Sequence, residues 1–532
     1  MKKILKFQQS LDYYLKILDT RLNEKDYLGA LDTARNAFKL AKTKINKQSI
    51  NLIIGQIYFE MDLYNLSNEY FFRAVQVPQT QAGAYFGIGR NLIFLQKNTL
   101  ALKYFENSLA TQTSLDFSGA ILEWTNKIRS SMLSYPQNLN ELSLAKKLVK
   151  LNKFDDAIET LKDKFKSGDI KAKIFTADIL VIKEDYDTAR SIIKEILQNN
   201  PHDTDALLVL ANICLQLNDY YNLESILEDL ETLPLKDKQI FILATMYSHI
   251  QNYQKSIKYY EKILKNDEFN IKILLFLSIC YYNINDTQQA LYYIGKARWI
   301  DIENQILYNY YDIFNRKLLP PPLTLNTQIP ATLIDEKLKS INLSLNSNEF
   351  CTHLNTSLIL ADDIFWSFTL KNNTQDIKII NTLAKCKKKK ATNLYNKLLL
   401  STRLTSNQKF YLTKFALLNQ NLKTIDINSN LHYVSFKNYI PKSIQNNQTL
   451  KIAYCNAVAF AEINNITANF DNLLNIINNI PLNSTVEYQL NENILTCILF
   501  SQNMQNLEKA CIYFDVDKKS ALMAIKHLKL NQ

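Results

Sequence analysis

One pattern of small and large apolar positions occurs four times along residues 169–303. Each copy predicts a pair of helices, because apolar residues recur at helical spacing on both sides of a short polar stretch. The anchor positions are Ala177/Tyr186/Ala189, Ala211/Tyr220/Leu223, Ala244/Tyr253/Ser256 and Ser278/Thr287/Ala290, at steps of 34, 33 and 34 residues. A fixed period of this size predicts a solenoid, in which each unit buries its apolar face against its neighbours.

The pattern extends towards the N-terminus with one interruption. Upstream units are anchored by Tyr27/Ala30/Ala34, Gly55/Tyr64/Ser67, Gly89/Ala101/Phe105 and Ala145/Phe154/Ala157. Between the third and fourth of these units lie about 22 extra residues, and residues 114–132 predict an additional helix there. We expect this helix to cap a first block of three repeats, and a helix at 304–316 to cap a second block of five. Residues 1–316 thus predict about eight helix pairs.

The small anchor residues allow antiparallel helices to approach closely where they cross. Their spacing over residues 8–316 resembles the tetratricopeptide repeat (TPR) family. Pro201 and the Asp-Tyr pairs at Asp26-Tyr27, Asp185-Tyr186 and Asp219-Tyr220 add to the resemblance. The tryptophan of the family motif is missing, and Leu223 stands where the family has alanine. The resemblance implies an α-α superhelix that binds its ligands in the concave groove formed by the first helices.

Positions that contact ligands in the TPR family can be carried over to this sequence repeat by repeat. They are Gln56, Phe59, Phe86, Arg90, Lys146, Asp178, Asn212, Thr245, His249 and Tyr282. The resulting groove is mixed polar and aromatic, which suits an extended peptide or a helix. The lysine–asparagine clamp of chaperone-binding TPR proteins is not reproduced. The alternative, that several of these side chains only pack between repeats, stays open.

A proline-rich stretch follows the array at residues 317–331. Pro320, Pro321, Pro322 and Pro330 cannot continue a helix, so the stretch is predicted to be an extended linker. The alternative is that it serves as a ligand for an aromatic groove. The linker interpretation separates a solenoid domain, residues 1–316, from a second domain, residues 332–532.

The second domain is predicted to be helical with one small β-hairpin. Residues 373–420 resemble HEAT-like repeats. Residues 423–427 and 431–437 alternate between apolar and polar side chains, and residues 428–430 tolerate the conformations of a tight turn, which predicts a hairpin near 423–437. The predicted fold class is therefore all-α: a TPR superhelix followed by a HEAT-like helical domain with one hairpin.

The C-terminal residues 509–530 resemble a helix-turn-helix pair. In that motif the second helix enters the major groove of DNA, and Lys518, Lys519 and Lys526 would face outward as nucleic-acid contacts. Asp515 stands where the family has a turn glycine. A helix pair that merely closes the domain gives the same pattern, so both interpretations stay open.

The sequence offers no arrangement of residues that predicts catalysis. Its eight glycines, none after Gly295, argue against dinucleotide and phosphate loops, and Gly89 occupies a small-residue packing position. The five histidines are scattered without the spacing of a zinc site, and no nucleophile motif is present. We therefore predict a protein that is not an enzyme, with no cofactor, no metal and no small-molecule ligand.

Charge and cysteine content bear on partners and location. Of the net charge of +11, residues 317–532 carry +9, with a cluster at residues 385–390. This excess favours solubility, and the alternatives are an acidic partner, a nucleic-acid backbone or a membrane surface. The seven scattered cysteines are typical of reduced core thiols and predict a cytoplasmic location. Polar residues interrupt the apolar N-terminal stretch, and no apolar run is long enough to cross a membrane.

These features together predict a non-catalytic scaffold or adaptor that binds a peptide or protein in the concave groove. The alternative is a regulator whose basic C-terminal helix pair contacts nucleic acid while the repeats sense a peptide or protein.

Overall fold

The computed structural model describes residues 11–111, 118–134, 141–347, 349–357, 359–419, 422–466, 492–500 and 504–527. Two compact units are present. The described residues up to Ile128 pack together with those from Ala331 onward, whereas the residues between Arg129 and Pro330 form the second unit. This division differs from the predicted one, in which residues 1–316 form a single solenoid domain.

Helix pairs build both the N-terminal block and the second unit. The N-terminal block contains α1 (Leu11–Asn23), α2 (Tyr27–Leu40), α3 (Lys44–Glu60), α4 (Tyr64–Ala74), α5 (Pro78–Phe94), α6 (Asn98–Thr111) and the start of α7 (Ser118–Ser134). The second unit contains α8 (Glu141–Lys150), α9 (Phe154–Lys166), α10 (Ile170–Ile182), α11 (Tyr186–Asn199), α12 (Thr204–Gln216), α13 (Tyr220–Glu231), α14 (Asp237–His249), α15 (Tyr253–Leu264), α16 (Ile271–Asn283), α17 (Thr287–Ile300) and α18 (Gln305–Arg316). The helix α7 lies where an extra helix is predicted, and residues 114–117 of that prediction lie outside the described residues.

The turn inside each helix pair has one backbone form. The residue two positions before the second helix has a positive φ in every pair: Lys25, Asp62, Gln96, Asn152, Glu184, Asn218, Gln251 and Asn285. Between α12 and α13, the N–H of Asp219 donates to the carbonyl of Cys214 at 2.9 Å, and the Asp219 carboxylate accepts the N–H of Asn222. A left-handed residue thus ends one helix and a capping side chain begins the next.

Small residues allow close packing where the paired helices cross. Ala177, Ala211 and Ala244 have no exposed surface. A β-carbon on Gly89 would lie 2.4 Å from the ring of Phe105, so glycine leaves the room that this ring occupies. This packing agrees with the interpretation of Gly89 as a packing position.

The residues from Ala331 onward form a helical layer around one hydrophobic core. Its elements are α19 (Ala331–Asn346), α20 (Phe350–Thr356), α21 (Leu360–Ser367), α22 (Asn373–Lys385), α23 (Lys389–Leu400), α24 (Ser406–Asn419), β1 (Thr424–Ser429), β2 (His432–Lys437), α25 (Gln448–Ile463), α26 (Glu492–Ile498), α27 (Met504–Phe514) and α28 (Lys518–His527), with short 3-10 turns at Phe368–Leu370 and Lys442–Ile444. The core includes Tyr395, Leu398 and Phe460. The prediction of an all-α fold with one hairpin is confirmed.

The hairpin is antiparallel and lies where it is predicted, with a turn one residue shorter than predicted. Ser429 pairs with His432, so the turn consists of Asn430 and Leu431, both with positive φ. Two left-handed residues are the signature of the tight turn that matches strand twist. Asparagine accepts this conformation readily, whereas Leu431 does not, and the sequence therefore predicts a turn at 428–430 instead.

The N-terminal block packs on the C-terminal helices through buried polar contacts. The Glu69 carboxylate accepts the hydroxyl of Ser401 at 3.0 Å and the N–H of Thr402 at 2.6 Å. The Tyr104 hydroxyl donates to the carbonyl of Leu431 at 2.7 Å and accepts the N–H of Tyr433 at 3.0 Å. These contacts join residues more than 300 positions apart, which is why the repeat pattern alone predicts a different domain division.

Two cysteines differ from the prediction of seven reduced thiols. Cys351 on α20 and Cys386 after α22 form a disulfide bond, because the packing of these helices brings their α-carbons to 5.6 Å. The other five cysteines are free and buried: Cys214, Cys280, Cys455, Cys497 and Cys511. Within the described residues, no helix has the length and apolar character needed to span a bilayer.

Candidate functional site

The first helices of the second unit line an open groove of about 1110 Å³. Five residues predicted to line the concave surface lie in it: Lys146, Asp178, Asn212, Thr245 and His249. They come from α8, α10, α12 and α14, one helix from each of four successive pairs. The groove therefore runs along the repeats instead of lying within one of them.

The repeat period explains why these side chains share one surface. Asp178, Asn212 and Thr245 each follow the small buried residue of their helix by one position, so the superhelix places them in a row. Gln216 and His249 follow that residue by five positions and also line the groove. The Thr245 hydroxyl is already hydrogen-bonded within the array, since it lies 2.9 Å from the hydroxyl of Tyr260.

Apolar side chains occupy much of the groove surface. They are Leu142, Ile174, Phe175, Leu208, Val209, Leu215, Phe241, Ile242 and Met246. Ile242 is 39% exposed although it is a large aliphatic residue. An exposed apolar surface bordered by polar groups is typical of a protein or peptide contact.

Charged groups of both signs border this apolar surface. Lys146, Lys171 and Lys238 contribute positive charge, and Asp178 and Asp205 contribute negative charge. Burial, with the nearby charge of Asp205, raises the pKa of Asp178 to about 6. The groove thus offers a carboxyl group to a donor or cation on a ligand, beside lysines that suit an acidic group.

Tyr282 is placed differently from the other predicted residues. Its hydroxyl donates to the carbonyl of Leu319 at 2.6 Å, within the proline-rich stretch. Its neighbour Asn283 binds the main chain of Leu323 twice: the amide donates to the carbonyl at 2.8 Å, and its oxygen accepts the N–H at 2.7 Å. Part of the predicted linker is therefore bound against α16.

Asn283 was not among the predicted contact residues, although a signal for it exists. It follows the small residue Ser278 by five positions, as His249 follows Ala244. The same position in the repeat that predicts His249 as a contact residue therefore also indicates Asn283.

Among the four predicted residues of the N-terminal block, Arg90 contacts the other three. The Arg90 guanidinium lies 4.1 Å from the ring centroid of Phe59 and 4.9 Å from that of Phe86, and it donates to the Gln56 side-chain oxygen. Burial lowers the pKa of Arg90. These contacts fit the alternative in which the side chains pack between repeats.

The predicted nucleic-acid residues, Lys518, Lys519 and Lys526, all lie on the last described helix, α28. Lys518 forms an ion pair with Glu508 on α27, whereas Lys519 and Lys526 are exposed. Ala521 and Ile525 are buried in the core that includes Leu507. Residues 528–530 of the motif lie outside the described residues. Burial of this kind fits a helix pair that closes the domain.

Comparison with known proteins bears on the repeats themselves. Residues 180–220, from the end of α10 to the start of α13, match the tetratricopeptide repeat family. The chain contains tetratricopeptide repeats. The TPR assignment agrees with the helix pairs, the left-handed turns and the small crossing residues described above. No curated protein sequence matches the chain.

Solved TPR structures have a limited likeness to this chain. The crystal structure of the P58(IPK) TPR domain has 14% identity and a TM-score of 0.25, covering 58% of this chain and 98% of that chain. A tetratricopeptide repeat protein from Parabacteroides merdae ATCC 43184 has 11% identity and a TM-score of 0.23, covering 58% and 99%. At these scores neither likeness adds to the TPR assignment, which rests on the repeat geometry and the family match.

Proposed function

We propose that this TPR protein is a non-catalytic scaffold or adaptor that binds an extended peptide or a helix of a protein partner in the groove between α8 and α14. The observation that carries the proposal is the row of side chains contributed by four successive first helices to one open groove with a mixed apolar and polar lining. A surface of this kind can contact a ligand along its whole length.

Individual residues have different roles in this proposal. Asn212, at the centre of the row, offers an amide to a ligand main chain, and Asp178 offers a carboxyl group to a donor or cation. Lys146 and His249 mark the two ends of the row. The apolar side chains between them supply the buried area on which affinity depends.

Selection of peptides from a random library by the intact chain tests this proposal. We expect peptides selected on the wild-type protein to lose binding at least tenfold, about 1.4 kcal/mol, in the Asn212→Arg variant, since the longer charged side chain fills the groove. Tyr221→Arg is the matched control, because Tyr221 is 86% exposed and lies on a second helix. Selected peptides that bind all three proteins equally would contradict the proposal.

Nucleic-acid binding by the C-terminal helix pair has less support. Lys518 is already paired with Glu508, and no observation here favours contact with DNA over closure of the domain. Under the scaffold proposal, the protein does not retard the migration of duplex DNA in a gel at low salt. Replacing Lys518, Lys519 and Lys526 by glutamate then leaves the migration of the DNA unchanged. Retardation that weakens steeply with salt would restore the regulator alternative.

The cytoplasmic location stays a proposal. The five free cysteines are buried, as expected of thiols in a reducing compartment, but the bond between Cys351 and Cys386 is rare there. Alkylation of cells lysed directly into denaturant decides between a reducing and an oxidising compartment: seven alkylated cysteines indicate a reducing one, and five indicate an oxidising one.

A further inference from the structure

The proline-rich stretch lies against the end of the TPR array without helix or strand structure. Its main chain is bound by Tyr282 at Leu319, by Asn283 at Leu323 and by Tyr310 at Gln328, the last at 3.0 Å. No secondary structure is assigned to residues 322–326. The array thus holds a peptide-like segment chiefly through side-chain hydrogen bonds to its main chain.

Side chains of the segment alternate between contact and exposure. Leu323 and Leu325 are half-buried, whereas Pro322 and Thr324 are exposed. Hydrogen bonds to the main chain of a peptide provide affinity that does not depend on its sequence. Alternate side chains of the peptide, bound in pockets, provide specificity. The segment therefore shows which chemistry fits this end of the array: two leucines separated by one residue, after a proline.

This bound segment adjoins the open groove. Residues 322–325, together with Ser248, His249, Gln251 and Tyr253, line a small cavity of about 120 Å³. His249 also lines the open groove. A ligand that follows the groove towards α16 therefore reaches the segment at His249.

We propose that the end of the groove formed by His249, Tyr253, Tyr282 and Asn283 is a binding site for an extended Pro-Leu-x-Leu peptide, and that residues 319–325 of this chain occupy it in cis. A partner segment of the same chemistry binds there by displacing the chain's own segment. The inference rests on the proposed function, because it extends the peptide-binding groove to α16, but it has a separate test.

Occupancy of the site by the chain's own segment lowers the affinity that is measured for an added peptide. A tethered segment has a high effective concentration at its site, so it weakens the apparent binding of the same peptide added in solution. The apparent affinity is reduced by the fraction of sites that remain open. Substitutions that prevent the chain's own segment from binding should therefore raise the affinity measured for the added peptide.

The test uses a fluorescent synthetic peptide with the sequence of residues 317–329 and measures its binding to the full chain. We expect it to bind the Leu323→Asp/Leu325→Asp protein at least tenfold more tightly than the wild type. Adding Asn283→Ala to that protein should reduce binding at least tenfold, through loss of both hydrogen bonds to Leu323. A peptide that carries the same two aspartates is the matched ligand control and should not bind.

Two further variants keep the outcome unambiguous. If aspartate lowers the helical content, measured by circular dichroism, Leu323→Ser/Leu325→Ser replaces it with the same expected order of affinities. Tyr221→Arg should leave binding of this peptide unchanged, because Tyr221 is 86% exposed and lies on a second helix. Failure of the groove proposal is measured by the effect of Asn212→Arg on the selected peptides, and failure of this inference is measured by the effect of Asn283→Ala on the synthetic peptide.

Equal binding to the wild-type and disabled proteins, absence of binding to both, or insensitivity to Asn283→Ala would each overturn the inference.

Discussion

Lys409 on α24 is a fully buried amine in the core of the C-terminal helices. Its ammonium group donates to the carbonyls of Leu398 and Leu399 at the end of α23. Burial lowers its pKa from 10.5 to about 7, and the charge of Glu69 partly opposes the shift. The Lys409 amine thus caps the C-terminal carbonyls of α23, close to the contact between Glu69 of the N-terminal block and Ser401.

This shift predicts how stability depends on pH. Between about pH 7 and pH 10.5 the unfolded chain keeps a proton at Lys409 that the folded chain releases, so this residue makes the free energy of unfolding rise with pH. Below pH 7 both states are protonated and its contribution is constant. Urea unfolding from pH 6.5 to 9.5 should therefore show a rise in the wild type that is smaller in Lys409→Met. Parallel pH profiles for the two proteins would contradict the assignment.

The turn repeated inside each helix pair is a source of strain that the chain tolerates. Glu184, between α10 and α11, has φ of 64° and is exposed. A left-handed conformation costs a residue with a β-carbon roughly 1–2 kcal/mol relative to a right-handed one, and glycine avoids that cost.

We expect Glu184→Gly to stabilise the second unit by about 0.5–1 kcal/mol, after part of the gain is offset by the greater entropy of glycine in the unfolded chain. Glu184→Ala is the control, since it removes the carboxylate but keeps the β-carbon. Chemical unfolding that shows equal midpoints for the glycine and alanine variants would refute the explanation.

The same elements show how far the sequence predicts the structure. The buried Ala177, Ala211 and Ala244 recur at a fixed period, so the repeats and the row of groove residues could be predicted. The disulfide and the binding of Leu323 by Asn283 depend on contacts between separate helices and segments. A local sequence pattern does not indicate such contacts. Glu69 is a similar case, because a buried carboxylate gives no signal until its partners are known.

The chain has an interrupted architecture. The unit that contains the N-terminal block is completed only by residues from Ala331 onward, and the second TPR unit lies between these parts in sequence. The hydroxyl of Tyr104 on α6 joins the two parts of this unit by hydrogen bonds to the main chain of Leu431 and Tyr433 in the hairpin.

We expect Tyr104→Phe to destabilise this unit by about 1–3 kcal/mol, because it leaves a part-buried carbonyl and N–H without their partner. Amide hydrogen exchange in β1 and β2 should become faster. Tyr64→Phe is the matched control in the same block, since its hydroxyl bonds Asp62 in an exposed setting at 2.6 Å. Unchanged exchange in the hairpin of Tyr104→Phe would show that this contact does not hold the two parts together.

The sequence separation of these contacts affects how the protein is made. Glu69 and Ser401 are 332 residues apart, and ribosomes add about 5–20 residues per second. The N-terminal block therefore leaves the ribosome roughly 20–60 s before the helices that cover it, whereas the second TPR unit is complete in sequence by Pro330. During that interval the surfaces around Glu69 and Tyr104 face solvent, and a nascent-chain chaperone has its longest access to this protein there.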